Sequence, residues 1–537
     1  MKESNLTFFI SYSLVFFTVI SCAKRGSITG GPKDEEPPKF VRSSPPNFST
    51  NFKSDEVRIY FDELIKLENA QKQVVISPPM KLKPLITPLG SPGKFIKIQF
   101  QDTLIPNTTY TINFGASVVD NNESNPFPFF QYVFSTGPVL DSLSFKGSVK
   151  DAFKKKLDDY VSVFLYKVDE NYTDSIVFKD PPRYISSTLD STEFEFKNLK
   201  EGKYHLIALK DNNSNYTFEP QQDKIGFYDS IITIPQDTVA KLKLFKEVPE
   251  FSFERMSQVS KNQFILGYKG VIESPEISVL GKPSVSTQFY KDPQKDTLNV
   301  WTKPFFEQDS IVFLATSKKY TDTIVSRYKD QLVDSLIVST KSASKLRLNA
   351  PMILSANTPI DSLKISNINL VDQDTVAINF KHQLDRFKNE LTLNFDKKEG
   401  AQYHLQLLPG AITDFLGNKN DTLNFNTSTG IEADYGKMIL NFQQITQWPI
   451  IVQLQKGETN VDYEITLNEG ETTALIESVA PGEYFIKVIF DTNKNNKWDT
   501  GNYLKKLQPE KIVYYPEAIN VRANWDVKQA IDLGALD

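Results

Sequence analysis

Four oxygen-bearing side chains near the C-terminus, Asp491, Asn493, Asn495 and Asp499, stand at positions 1, 3, 5 and 9 of a short loop. Alternate positions of a tight loop can turn their oxygens inward around a hard cation, and carboxylate and amide oxygens are the donors that calcium takes. The same residue types recur as Asp211, Asn213, Asn215 and Glu219. Position 12, where a bidentate carboxylate would complete the shell, holds Asn502 or Gln222, and position 6, where glycine would ease the turn, holds Asn496 or Tyr216. With so few carboxylates any Ca2+ would be weakly held. The competing reading is a turn in which Asp and Asn side chains bond the local backbone and tolerate left-handed conformations. Both readings stay open on sequence.

Other chemistry is sparse. His205 and His404 fall inside expected strands beside Tyr204 and Tyr403, and His382 lies on a polar stretch. None accompanies a recognisable nucleophile, and the His-Glu-x-x-His pattern of zinc hydrolases is absent. The many Asp and Glu residues leave a glycosidase-type carboxylate pair open on sequence, and the segmented array of small sandwiches argues against it because such pairs normally sit in one deep cleft. No catalytic residue is assigned, and no cofactor beyond the candidate Ca2+. Trp301, Trp448, Trp498 and Trp525 are the conspicuous candidates for stacking on sugars, weighed against the ordinary use of aromatics as core. A net charge of −5 without a clustered basic face excludes an electrostatic footprint for nucleic acid.

The acid loops are placed by a repeat. GKYHLIALKDNNSNYTFE at 202–219 and GEYFIKVIFDTNKNNKWD at 482–499 share a Gly-x-Tyr opening, an apolar run and an acid-and-Asn loop, so the chain contains a duplicated β unit. Elsewhere Val57, Ile59 and Phe61 alternate with polar neighbours, as do Ile96, Ile98 and Phe100, which is strand periodicity. With 22 Tyr, 39 Phe and runs of Val, Ile and Thr between turn residues, the fold class is all-β, a tandem array of β-sandwich domains.

The N-terminal apolar run at 6–20 is shorter than the roughly 20 residues a spanning helix needs and suits a signal-peptide core. It ends Val19-Ile20-Ser21-Cys22, which resembles a bacterial lipobox and makes Cys22 the expected lipidation site. Cys22 is also the 1 cysteine of the chain, so no intramolecular disulfide is possible. The following AKRGSITGGPKDEEPP has Gly, Pro and charge without apolar periodicity and reads as a tether. The expected organisation is a signal peptide at 1–21, lipidated Cys and tether at 22–37, then β domains at 38–137, 138–246, 247–340, 341–430 and 431–537.

Several of these segments resemble known families. Pro106-Asn107-Thr108-Thr109-Tyr110, Val119-Asp120-Asn121 and Phe134-Ser135-Thr136 make 38–137 similar to bacterial Ig-like domains. That resemblance implies a buried Tyr110 whose hydroxyl reaches the sandwich edge, as in a tyrosine corner. Tyr403, Asp414, Gly417-Asn418 and Thr427-Ser428-Thr429 make 341–430 a second, degenerate copy lacking the Asn-Thr-Thr corner. Phe194 to Leu199 followed by Gly202-Lys203-Tyr204, and Val479 to Tyr484, resemble transthyretin-like or carboxypeptidase-regulatory-like sandwiches at 138–246 and 431–537. The segment 247–340 resembles none of these, and strands are expected near 264–267, 277–280, 298–301 and 310–314.

From lipobox through tether into the first sandwich, the chain resembles the Ig-like-domain lipoproteins of Bacteroidetes. That implies a lipid anchor at Cys22, an outer-membrane location facing either periplasm or cell surface, and no catalytic residues. The expected function is a non-enzymatic multidomain scaffold or adaptor acting through contacts with envelope or outer-membrane proteins. Its rivals are a glycan-binding lipoprotein of a nutrient-uptake system and an accessory subunit of an outer-membrane assembly or secretion machine.

Overall fold

The alternation of Val57, Ile59 and Phe61 becomes the long strand Glu56–Leu67, whose inward side chains are buried. A computed structural model describes residues 33–236, 238–304, 309–318, 320–329, 331–457 and 460–536. The expected signal peptide, Cys22 and most of the tether lie outside these residues. Among the described residues the secondary structure is almost entirely strand; the one α-helix is the four-residue Ala70–Gln73. Two compact units divide the chain, residues 1–142 with the corner 197–200, and residues 143–196 with 201–537.

In the first unit, Glu56–Leu67 lies between Phe40–Ser44 and Gly93–Gln99, and Leu85–Thr87 adds to the far side. The second sheet runs Val75–Ser77, Thr109–Asn113, Gln131–Ser135. Val57, Ile59, Ile96, Ile98, Ile112 and Phe134 meet between the sheets with no solvent exposure, each worth about 2 kcal/mol of transfer free energy. Tyr110 is buried and its hydroxyl accepts the Ile105 N–H at 2.9 Å, the tyrosine corner expected from the motif. Thr136 Oγ1 donates to Ile105 O at 2.7 Å and closes the same corner.

The second unit opens and closes with the duplicated sandwiches. In the first copy the strand order is Tyr184–Ser187, Ser162–Lys167, Gly202–Lys210, Lys224–Phe227, with Ile232–Ile234 also on Gly202–Lys210. In the second it is Asn460–Leu467, Ile450–Lys456, Gly482–Phe490, Ile512–Tyr514, with Ile519–Val521 on Gly482–Phe490. In both copies the last strand pairs parallel with the first, Ala240–Leu244 on Leu143–Asp151 and Asp526–Asp532 on Gly436–Gln443. The repeat legible at 202–219 and 482–499 thus extends to the whole topology.

Between the copies lie two further sandwiches. One packs the sheet Ser252–Gln258, Gln263–Lys269, Thr297–Lys303, Ser286–Lys291 on Pro275–Val279, Ser310–Ser317, Tyr320–Arg327, with strands at each position expected for 247–340. The other is built around Met352–Ala356 and Gln402–Leu407. Val338–Thr340 pairs with Met352–Ala356, so this sandwich begins before the boundary expected at Lys341. The missing Asn-Thr-Thr corner changes little. Tyr403 Oη accepts the Lys398 N–H at 2.7 Å, Thr429 Oγ1 donates to Lys398 O, and Tyr403 is buried. The hydroxyl-to-backbone bond at five residues' remove is the same in both Ig-like copies, because the corner needs a backbone N–H and not a particular side chain before it.

Candidate functional site

Each acid loop joins its copy's central strand to an antiparallel neighbour, so it sits at a hairpin end. In the C-terminal loop Asp491 is fully buried; its Oδ1 accepts the Asn495 N–H at 3.1 Å and its Oδ2 the Asn496 N–H at 2.8 Å. Asn493 Oδ1 accepts the Asn495 N–H and Asn495 Oδ1 the Lys497 N–H, at 3.1 and 3.0 Å. Both side-chain NH2 groups converge on Asp499 Oδ2. The earlier loop repeats this: Asp211 accepts from the Asn213 and Tyr216 amides, and Asn213 and Asn215 donate to Glu219 at 2.7 and 2.8 Å. The four expected residues of each loop are therefore brought together. As folded, the amide oxygens face backbone N–H groups and the last carboxylate is satisfied by amide donors, the arrangement of successive Asx turns. Lys494 and Asn496 in one loop, and Ser214 and Tyr216 in the other, take the positive φ that such turns demand.

A second carboxylate, absent from the spacing argument, pins each loop. Asp223 accepts the Asn212 and Glu219 N–H groups on its two oxygens, and Glu510 accepts those of Thr492 and Asp499. Burial raises the Asp223 pKa, opposed by these backbone bonds. Only the tertiary fold aligns Asp223 with Glu510, because 10 residues separate Asp499 from Glu510 where 3 separate Glu219 from Asp223.

Those additional residues form an arm that clasps the first copy. Thr500 Oγ1 donates to Lys246 O at 2.7 Å, and the Tyr503 N–H donates to Glu247. Gln508 Nε2 reaches Phe227 O at 3.0 Å and Asp229 at 2.6 Å. Tyr503 has no solvent exposure; its ring stacks on His205 at 5.9 Å and meets Phe227 edge-on at 5.5 Å. Lys506 pairs with Asp174 at 2.6 Å and lies over the Tyr503 ring. His205 hydrogen-bonds Tyr172 Oη, which donates to Asp174 at 3.1 Å. Burial, then the Lys506 ammonium, pushes the His205 pKa down to about 4 and keeps the imidazole neutral.

The clasp continues beyond the arm. Tyr484, Ile486, Val488 and Phe490 fill the C-terminal core, while Lys487 and Ile489, on the strand's other face, are buried as well. Lys487 Nζ has no hydrogen-bond partner and sits 3.2 Å from the centroid of the Phe153 ring, and burial pushes its pKa down to about 8. Tyr514 donates to Phe153 O, Lys155 to Pro516 O, and Trp498 packs on Phe153 at 4.8 Å. Phe153 and Lys155 thus give the two duplicated sandwiches a second contact beside the arm. The sequence reading missed this contact, although consecutive apolar residues such as Leu206 to Leu209 and Val488 to Phe490 signal strands buried on both faces.

The tryptophans divide by burial. Trp301 is fully buried beneath Tyr290, which removes it as a sugar platform; Trp448 packs on the C-terminal core, and Trp498 is tied to Phe153 and Glu510 O. Trp525 is 58% exposed with Arg522 over its ring. His404 faces outward and bonds Asn426; His382 is exposed on Lys381–Asp385, a strand where sequence had only a polar stretch. Among the described residues no three or more His, Cys, Asp or Glu side chains group as a metal site, a count that leaves out the Asn oxygens of the acid loops.

Comparison with known proteins gives a fold-level result. No curated protein matches the chain. Among solved structures, the S-layer protein rSbsC is 12% identical over 89% of this chain with a TM-score of 0.15, and this chain covers 66% of it. The Bacteroides ovatus mixed-linkage glucan utilization locus protein SGBP-B, in complex with mixed-linkage heptasaccharide, is 10% identical over 71% of this chain and 91% of its own, TM-score 0.19. An I-band fragment of titin is 10% identical over 52% of this chain and 98% of its own, TM-score 0.12. Scores this low say nothing about what the chain binds. Residues 34–136 match the bacterial Ig-like domain family, a description of fold that agrees with a scaffold or binding protein built from β-sandwiches.

Proposed function

We propose that the chain is a lipid-anchored scaffold of the bacterial outer membrane, held through Cys22 and acting through contacts with other envelope proteins. The clasp is the observation that carries this reading. Tandem sandwiches joined only by linkers would move independently, because interfaces between neighbouring domains are usually small and polar. Here the last sandwich returns to the first of its unit, burying Tyr503 and Lys487 against it. Ordering so much chain into one body serves a protein that presents fixed surfaces to partners. The lipobox at 19–22 and the Gly- and Pro-rich tether after it supply the attachment. A lipoprotein's several acyl chains hold a protein to a bilayer where one chain would not.

The test is fractionation of wild type and Cys22→Ala, followed by mild detergent extraction. Wild type is expected in the outer-membrane fraction with co-purifying envelope proteins, and the variant in the soluble fraction. A soluble wild type, or a variant that stays with the membrane, overturns the anchor; wild type extracted without any partner overturns the scaffold.

A further inference from the structure

The outer face of one sheet in the Gln402–Leu407 sandwich is polar with few charges. Gln402–Leu407 lies between Leu423–Thr429 and Ile368–Asp372. Strand alternation sends Tyr403, Leu405 and Leu407 into the core and leaves Gln402, His404 and Gln406 on the outer face. The register sets these opposite Ser428, Asn426 and Asn424, and Asn369 lies opposite Gln406 on the other side. His404 Nδ1 bonds Asn426 Oδ1 at 2.7 Å, and Gln406 Nε2 donates to Asn424 Oδ1 at 3.2 Å. The face is a ladder of amides, a hydroxyl and an imidazole.

Two grooves of about 470 Å3 each meet on this face at Val371 and His404. Of the residues lining them only Asp372 is charged, although charged residues make up 24% of the chain. Asp372 Oδ1 is already turned to the Asp374 and Val376 N–H groups at 3.0 and 2.9 Å. One groove is also lined by Ile365, Ile378 and Phe380, half-buried side chains that pack on the core.

We infer that this face binds an uncharged polysaccharide. Sugar hydroxyls both donate and accept, and so do Asn and Gln side chains, so a row of them matches a row of hydroxyls. The exposed parts of these apolar side chains suit the C–H face of a pyranose ring, and a site with almost no fixed charge neither attracts nor excludes a neutral polymer. A peptide added as a strand finds no open edge on the Ile368–Asp372 side. Ile368–Asp372 is the edge strand, and its backbone is engaged by Ile378 N–H to Leu370 O at 2.8 Å and Asp372 N–H to Val376 O at 3.1 Å.

The experiment is affinity electrophoresis of the full chain through gels containing hydroxyethylcellulose, xylan or galactomannan, with polygalacturonate as the charged contrast. At least one neutral gel is expected to retard the wild type, and polygalacturonate is not. His404→Ala combined with Gln406→Ala should weaken that retardation about tenfold, the consequence of losing hydrogen bonds worth about 1.4 kcal/mol together. Gln383→Ala, exposed on the sandwich's other sheet, should leave it unchanged. The inference is overturned if no neutral gel retards the chain, if polygalacturonate retards it equally, if the double variant binds like wild type, or if Gln383→Ala loses binding to the same degree. Capture of an extended peptide on this face, with every neutral gel silent, overturns it in favour of a protein partner.

Discussion

Lys487→Met should tighten the clasp. Lys487 has no solvent exposure, its Nζ lacks a hydrogen-bond partner, and burial lowers its pKa from 10.5 to about 8. A depression of that size corresponds to about 3 kcal/mol of cost to the docked state near neutral pH. The Phe153 ring beneath the ammonium returns about 2 kcal/mol, the upper range for a desolvated cation over an aromatic face. Methionine keeps the apolar stem and removes the charge, so the net gain should be about 1 kcal/mol, rising towards 3 if the ring contributes less. The pH dependence has a definite sign. Between the docked pKa and 10.5 the exposed lysine binds more protons than the buried one, so docking strengthens as pH rises through that window. From about pH 7 to about pH 9 the relief is at most about 1 kcal/mol in wild type, less the more the ring holds the ammonium charged, and absent in Lys487→Met. Above about pH 10 the buried tyrosines reverse the trend, because burial raises the Tyr172 and Tyr503 pKa values and the undocked phenols ionise first. Amide-exchange protection along Gly482–Phe490, corrected for intrinsic rates, reports the opening free energy. A methionine variant that opens more readily than wild type, or a wild type whose protection stays flat between the two pH values, refutes the reasoning.

Acid should loosen the same interface. His205 falls from 6.5 to about 4 in the folded protein, so stability present above about pH 6.5 is lost as pH falls towards 4, by at most about 3 kcal/mol, and His205→Phe should flatten that acid limb in the same exchange measurement. Gly501→Ala would set a Cβ 2.6 Å from Leu507 O and 2.7 Å from the Phe245 ring, so faster proteolysis of the arm is expected, whereas an equally resistant variant would mean that the arm is not seated on Phe245. Tyr403→Phe deprives the Lys398 N–H of its acceptor and should cost about 1–3 kcal/mol, seen as faster exchange of that one amide. Asp491→Ala should cost about 0.5–2 kcal/mol by the measure of lost capping bonds, and calcium should leave the melting temperature of wild type unmoved. A calcium-dependent rise in wild type that the variant loses would establish a cation site instead.

Much of the architecture was legible because strand periodicity and turn chemistry are local. Val57, Ile59 and Phe61 announce their inward face by alternation alone, and the Gly-x-Tyr repeat locates two central strands and their loops. Convergence of Asp491, Asn493, Asn495 and Asp499 was legible too, since alternate residues of one tight loop must share a side. Which way the amides point was not. That depends on whether the backbone or a cation claims the oxygens, and in the folded loop the backbone N–H groups take them.

Long-range partners were beyond sequence reading for a different reason. Asp223 and Glu510 perform one task at different distances from their loops, so no fixed spacing reveals them. Lys487 looks like any surface lysine in FIKVIF until Phe153 of another sandwich covers it. The residues themselves determined strand, turn, corner and repeat, because those follow from side-chain alternation and backbone chemistry within a few positions. The meeting of the two copies, and with it the burial of Lys487, His205 and Tyr503, was decided only in the tertiary structure, because desolvation depends on what arrives from elsewhere in the chain.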